Sequence, residues 1–211
     1  FNLKKIDDYL NLSVNFYQTN QENEDNKSLP IVLPRIKYFS GYNNKFGEIS
    51  HSNFEFYNIF RENSNLVHAK KQQKLSHMYN YKKEIIKFNS KVSFNTEVYN
   101  QIFNTENKLI NDDEYKTGSY YRLFPILGVS SETPFSFSNY MQNITFNPKI
   151  HLIFSPGISN SNKLSNEDST NNDFSIENMY QLNRYTGNDK MDNSKRLTYN
   201  FSALTENWKT S

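Results

Sequence analysis

Carboxylates, amides and guanidinium groups crowd one polar stretch of this chain. Asn166-Glu167-Asp168-Ser169 is followed by Asn183-Arg184-Tyr185-Thr186-Gly187-Asn188-Asp189-Lys190 and then by Arg196-Leu197-Thr198-Tyr199. Side chains of these types can transfer protons, coordinate cations or pair with one another. For proton transfer in a hydrolase a nucleophile must stand beside a base. Ser and His both occur, so a Ser–His–acid arrangement is the one enzymatic reading, yet there is no Gly-x-Ser-x-Gly elbow to present a serine. His51, His68, His77 and His151 lie in four different segments without His-x-x-x-His or Glu-x-x-His spacing, so no two are set to share a metal. The acidic pairs Asp7-Asp8, Asp112-Asp113 and Glu167-Asp168, with flanking Asn oxygens, offer the hard donors that calcium takes, but no calcium-loop pattern organises them. Lys70-Lys71 with Lys74, and Lys82-Lys83, can touch phosphates; without an aromatic platform they read as strand-end or turn faces, not as a nucleic-acid site. The expectation is no catalysis, no metal and no cofactor.

Composition limits the elements that can position this stretch. Only 36% of the 211 residues are hydrophobic and mean hydropathy is -0.84, too little apolar content for a large soluble core. Aromatic residues nevertheless reach 16%, which is foreign to a disordered chain. The net charge of +2 gives no field that argues for nucleic acid. Absence of cysteine excludes disulfides and thiolate chemistry within the chain. No apolar run approaches the roughly 20 residues of a membrane helix, so any crossing has to be made by strands. The chain opens on Phe1 with neither an initiator Met nor a signal peptide and stops at Ser211, and it is read as an internal fragment.

Period-two alternation recurs throughout. Leu10, Leu12, Val14 and Phe16 alternate with Asn11, Ser13, Asn15 and Tyr17; Phe88, Ser90, Val92, Phe94, Thr96 and Val98 alternate with Asn89, Lys91, Ser93, Asn95 and Glu97. Successive strand side chains point to opposite faces, so each segment has an apolar and a polar face. Weaker alternation at 31–40, 48–60, 67–82, 119–132, 148–155 and 196–206 brings the expectation to about eight strands, most long enough to cross a membrane on a tilt. The polar stretches 18–28, 104–117 and 156–195 are read as long loops, Gly41–Gly47 and Lys82-Lys83-Glu84 as short turns, and long and short tend to alternate as around a membrane barrel. Two connections break the rhythm: 62–66 is short and 133–147 is long. Pro125 inside a strand predicts a bulge or break, and a turn or two of helix is the reading of Ser175–Leu182. Tyr17, Tyr38, Tyr99, Tyr120 and Tyr121 are candidates for interfacial girdles. A soluble sheet with one buried face shows the same alternation; the Asn, Lys and Ser of the polar faces favour a wet lumen.

The polar stretch also resembles a long barrel loop of the outer-membrane lipopolysaccharide-assembly proteins, the LptD or organic solvent tolerance family. There an Asn-Glu-Asp-Ser run precedes Asn-Arg-Phe-x-Gly-x-Asp-Arg and a strand beginning near an Arg. Leu29-Pro30 with Val32–Tyr38, Gly47–Ile49 with Phe54–Asn58 and Arg61, Tyr121–Pro125 with Thr133–Phe135, and Pro148–Pro156 resemble further family stretches in the same order. Tyr185 and Lys190 stand where the family has Phe and Arg, and a bidentate guanidinium contact is lost at Lys190.

The resemblance implies an all-β antiparallel transmembrane barrel segment, an open curved sheet as a fragment. Residues 1–211 would lie within the barrel domain, without the family's amino-terminal periplasmic jelly-roll domain and without the strands that close the barrel. It implies an outer-membrane translocon in a Gram-negative bacterium that inserts lipopolysaccharide into the outer leaflet. Its partners would be lipopolysaccharide, a plugging outer-membrane lipoprotein, a periplasmic lipopolysaccharide-bridge protein reached through the missing domain, and outer-membrane lipids, with no nucleic acid. On this reading Leu10, Leu12, Val14, Phe16, Val92, Phe94 and Val98 face lipid. Asn166, Glu167, Asp168, Ser169, Asn183, Arg184, Tyr185, Gly187, Asp189, Lys190 and Arg196 structure the loop, with Asp168, Arg184, Asp189 and Arg196 expected to pair and hold it over the lumen. A general porin or receptor barrel and a soluble β-rich binding domain are the alternatives.

Overall fold

Each of the eight alternating segments forms a strand, antiparallel to the strands beside it. The computed structural model describes residues 3–20, 26–44, 47–111, 114–139, 142–170, 175 and 178–207. Its strands are β1 (Leu3–Phe16), β2 (Ile31–Asn44), β3 (Glu48–Phe60), β4 (Lys71–Lys87), β5 (Ser90–Asn111), β6 (Glu114–Glu132), β7 (Phe135–Asn139), β8 (Gln142–Phe154) and β9 (Arg196–Asn207). They make one all-β sheet in which β1 to β6 follow chain order, β6 and β7 both pair with β8, and β9 lines the other side of β8. Among the described residues β1 pairs only with β2 and β9 only with β8, so the sheet is open.

The ninth strand explains the odd length of 133–147. β6 pairs Leu127–Glu132 with Lys149–Phe154, and β7 pairs Phe135–Asn139 with Gln142–Phe146. The two are one line of strand interrupted at Thr133-Pro134, with Pro148 opposite the interruption and its carbonyl accepting the Thr133 N–H at 3.2 Å. What looks like a long connection is a hairpin. Pro125, by contrast, makes no bulge: Val98↔Pro125 sits in an unbroken register with β5. The β6–β8 ladder begins only at Leu127↔Phe154, so the missing donor falls where β6 has a strand on one side alone.

Four turn and loop assignments move, the first being Gly41–Gly47, whose residues 41–44 end β2, with 41–43 in register with β3. Lys82-Lys83-Glu84 lies inside β4, held by ion pairs of Lys83 with Glu48 at 2.9 Å and of Glu84 with Lys82 at 2.7 Å and Lys91 at 3.0 Å. The turn is Phe88-Asn89, whose φ angles of 50° and 60° suit a two-residue hairpin. The polar stretch 104–117 is mostly strand, its side chains bonded across the β5–β6 hairpin, as in Ser119 Oγ to Asn104 Oδ1 at 3.3 Å. Asp112-Asp113 at its tip lies outside the described residues. Around Ser175–Leu182 there is a single turn, with Met179 N–H on Ser175 O at 3.1 Å and Gln181 N–H on Asn178 O at 3.1 Å, in place of a helix; residues 176–177 are not described. No helix among the described residues is long and apolar enough to cross a membrane.

The strand ends at Asn44 and Glu48, Lys87 and Ser90, and Asn139 and Gln142 lie at one end of the sheet, and those at Phe16 and Ile31, Phe60 and Lys71, and Phe154 and Arg196 at the other. Parity decides which face each side chain joins. One face carries exposed apolar groups: Leu10 and Leu12 at 70%, Phe16, Phe94, Leu123, Leu152 and Leu197. Val14 is exposed there too, and Val92 and Val98 share the parity of Phe94. The opposite face carries Glu55, Lys74, Gln101 and Arg122 together with the two apolar clusters, Tyr99–Phe124–Ile126–Ile153 with Leu182 and Met191, and Val32–Tyr57–Ile59. Tyr99 therefore leaves the girdle expected for it, because its odd position in β5 turns it into this second face. Tyr17, Tyr38 and Tyr121 stay exposed.

Candidate functional site

The 155–195 connection folds back onto the polar face, and its two polar runs clasp each other through their own backbones. Asp168 Oδ1 accepts the N–H groups of Asn188 at 3.0 Å and Asp189 at 2.9 Å. In return, Asp189 Oδ2 accepts the N–H groups of Glu167 at 2.7 Å and Asp168 at 3.2 Å. Ser169 Oγ takes the N–H groups of Asp189 and Lys190 at 3.0 and 2.9 Å. Asn166 folds its own turn, donating to Ser169 O at 2.7 Å and accepting from Ser169 N at 3.0 Å. Asn183 does the same at the other run, its Oδ1 accepting the Asp192 and Tyr185 N–H groups and its amide reaching the Gly187 and Lys190 carbonyls. Gly187 is required by the clasp: a Cβ there would lie 2.3 Å from both the carbonyl oxygen and Oδ1 of Asp168.

The clasp is pinned to the sheet by charge. Lys74 of β4 is completely buried; its ammonium lies 2.6 Å from Asp189 Oδ1 and 3.4 Å from Asp168 Oδ2, over the rings of Tyr57 and Phe103 at 5.4 and 5.6 Å. Tyr57 adds its hydroxyl to Asp189 at 3.3 Å. Arg122 of β6 donates to the Asp189 carbonyl at 2.8 Å and the Asn188 carbonyl at 2.7 Å, while Gln101 Oε1 accepts from the same guanidinium. At the end of β3, Arg61 makes a two-pronged pair with Glu167 and also donates to the Ser28 and Ala69 carbonyls at 3.1 and 3.2 Å. Ser165 is held between Gln72, which accepts its N–H at 3.1 Å, and Ala69, whose N–H it accepts at 2.8 Å.

Further along, the loop rests on apolar contact. Leu182 and Met191 enter the Tyr99–Phe124–Ile126–Ile153 cluster, each burial contributing about 1.5–3 kcal/mol. Gly128 of β6 leaves the space for Leu182, whose Cδ2 would stand 2.5 Å from an added Cβ. Asp192 collects two further arginines, Arg184 at 2.5 Å and Arg196 at 3.4 Å, and Arg196 also caps the Gln181 and Leu182 carbonyls at 2.7 and 2.9 Å.

These surroundings set the loop carboxyls apart. Burial pushes Asp168 up, but the Lys74 charge, the Asn188 and Asp189 amides and Ser169 outweigh it, leaving Asp168 below the usual range. Glu167 is likewise pushed up by burial and ends below it, because of its neighbours His68 and Arg61. Asp192 follows the same pattern through Arg184 and Ser194. Asp189, the most buried, is raised: desolvation and the charge of Asp168 overcome the attraction of Lys74.

The structure thus brings together Asn166, Glu167, Asp168, Ser169, Gly187 and Asp189 in one clasp, with Asn183, Arg184 and Arg196 in an adjoining turn. Of the four residues expected to pair, the two acids bond each other's backbone and share Lys74, and the two arginines share Asp192. Lys190 enters through its backbone, its ammonium 5.9 Å from the Tyr185 ring. Sequence reasoning placed Lys74 on a strand-end face and passed over Gln72, Gln101, Gly128 and Asp192. The signal was present for Lys74, which shares parity with Gln72 and Ser76 and so had to join the polar face. Among the described residues no group of three or more His, Asp or Glu side chains is placed to hold a metal ion. The arrangement can fasten a loop.

The stretches that fasten it, Arg61, Arg122 and the two loop runs, are far apart in sequence and converge on one site. Among curated proteins the chain finds no match. The family model for LptD, LPS transport system D, matches residues 4–211. With nearly its whole length covered, the chain belongs to the LptD family, and its function lies in lipopolysaccharide transport and assembly.

Proposed function

We propose that this chain is part of the wall of the outer-membrane barrel through which lipopolysaccharide is inserted into the outer leaflet of a Gram-negative bacterium. The observation that carries the reading is the division of the sheet into an exposed apolar face and a charged face on which a long loop is fastened. Such a division suits lipid on one side and a wet lumen on the other. Leu10, Leu12, Val14, Phe16, Val92, Phe94 and Val98 would face lipid. Residues 1–211 lie within the barrel domain, and the periplasmic jelly-roll domain and barrel-closing strands belong to other segments; the free edges of β1 and β9 are where further strands would pair.

Asn166, Glu167, Asp168, Ser169, Asn183, Arg184, Tyr185, Gly187, Asp189, Lys190 and Arg196 shape a lid across the lumen. The lid closes the barrel against solutes, and substrate is guided with no bond made or broken. The plugging lipoprotein would occupy the lumen and the periplasmic bridge protein would deliver substrate through the missing domain. The test is depletion of the full-length protein in its own cells, with lipopolysaccharide at the cell surface measured by labelling. Loss of surface lipopolysaccharide with retention in the inner membrane is expected; unchanged surface lipopolysaccharide refutes the reading.

A further inference from the structure

Beside the clasp, toward the Lys87–Ser90 end of the sheet, the charged face holds a second feature that the clasp does not use. A cavity of about 140 Å³ opens across β4, β5, β6 and β8. Parity sends Lys82, Lys91, Ser93, Ser130, Lys149 and His151 into it, and Tyr180 of the loop covers one side. His151 is only 2% exposed, and neither ring nitrogen has a hydrogen-bond partner. The Tyr180 hydroxyl and Asn95 Oδ1 are also unpartnered, and the Tyr180 ring stacks on His151 at 5.9 Å. Buried polar groups are almost always satisfied, so a cluster of three without partners points to a guest that supplies them.

The charges say what kind of guest. Lys82, Lys91 and Lys149 face Glu84 and Glu132, one positive charge in excess. Glu84 holds Lys82 and Lys91 at 2.7 and 3.0 Å, and the amide of Asn147 takes Glu132 at 2.6 Å. Lys149 has no carboxylate within ion-pair distance among the described residues, and its ammonium lies 4.4 Å from the centre of the Tyr180 ring. The cavity is well below the roughly 300 Å³ of a drug-sized pocket, room for one sugar ring or its anionic substituent and not for a peptide segment or an acyl chain.

We propose that this cavity binds an anionic saccharide, a sugar bearing a phosphate or a carboxylate. Lys149 pairs with the anionic group, His151 and Asn95 meet sugar hydroxyls as acceptor or donor, and the ring of Tyr180 covers the apolar face of the sugar. The proposal rests on the transport reading, which is what brings saccharide to this face of the sheet.

The test uses the full-length protein purified in detergent and titrated calorimetrically with glucose 6-phosphate, glucose and inorganic phosphate. Glucose 6-phosphate should bind about tenfold more tightly than either glucose or phosphate, and Lys149→Gln and the cavity-filling Ser93→Leu should each weaken it by about fivefold. Phosphate binding as tightly as glucose 6-phosphate marks a plain anion site and overturns the proposal. So does wild-type affinity in either variant, or no binding of glucose 6-phosphate at all, which leaves the cavity to water. These outcomes do not touch the transport reading, which stands or falls on surface lipopolysaccharide after depletion.

Discussion

Gly187 and Asp168 occupy each other's space: an added Cβ on Gly187 would meet the carbonyl oxygen and Oδ1 of Asp168 at 2.3 Å. Because one of those atoms is backbone, the clash cannot be relieved by a rotamer change. Gly187→Ala should open the clasp at a cost of at least about 1–3 kcal/mol. Gly128→Ala should be milder, since the atom it meets at 2.5 Å is the tip of Leu182. Limited proteolysis of residues 155–195 in the full-length protein reads both; equal resistance in Gly187→Ala and wild type would count against the clasp.

The buried Lys74 ammonium lies between the buried carboxylate of Asp189 and the partly exposed one of Asp168. Truncating one partner of a buried pair leaves an uncompensated charge, so Lys74→Met should destabilise the docked loop by about 3–5 kcal/mol. Adding Asp189→Asn to Lys74→Met should recover part of that loss by removing a stranded charge. Hydrogen exchange at the Asn188 and Asp189 amides measures it, and unaltered protection in Lys74→Met would contradict the pinning.

Arg61 and Glu167 lend themselves to a charge-swap cycle. Arg61→Glu and Glu167→Arg should each loosen the loop and raise the permeability of cells to large antibiotics. The double swap should restore only part of the barrier, because the Ser28 and Ala69 carbonyls would lose their donor. Arg184→Glu should raise permeability less, since Arg184 is partly exposed and exposed pairs contribute only ~0–1 kcal/mol. An Arg184→Glu effect larger than that of Arg61→Glu would invert the ranking of the two contacts.

Acid should release the loop. Glu167, Asp168 and Asp192 are held below their usual range, so in that interval the unfolded loop binds more protons and stability rises with pH. Their contribution is complete above the ordinary carboxyl values of about 4 and is lost as pH falls through the lower folded values. Asp189 runs the other way: its raised value favours the folded state as it takes up a proton. The two effects fall in different intervals: above about 4 Asp189 alone titrates, so docking holds or tightens as pH falls toward that value, and below about 4 the three lowered groups loosen it. Proteolysis by an acid-active protease would show it, and a loop as resistant well below about pH 4 as at about pH 5 would contradict the sign.

Local pattern carried the strands and not their partners. Alternation placed β3 at 48–60 and found eight of the nine strands among the described residues, missing β7, because facing is a property of neighbouring residues. Polarity misled where charged residues sit within strands: Lys82-Lys83-Glu84 and much of 104–117 are polar because they pair across strands, not because they turn. The family-like runs were legible as one loop, yet the partner of Asp168 and Asp189 was not. Lys74 lies in β4, far away in the chain, and only the fold brings it beneath them. Gly128 carried no signal until Leu182 was seen to need its space.

The orientation of the sheet in lipid is the most direct test of the account. Residues 1–211 contain no cysteine; in a full-length protein made cysteine-free elsewhere, single cysteines at Leu123 on the apolar face and Asn95 on the charged face can carry a fluorophore after reconstitution into bilayers. Nitroxide-labelled lipids should quench the probe at position 123 strongly and that at 95 weakly, with a water-soluble quencher giving the reverse. Equal quenching by lipid at both positions, or aqueous access to 123, would contradict a barrel wall with lipid on one face and the fastened loop on the other.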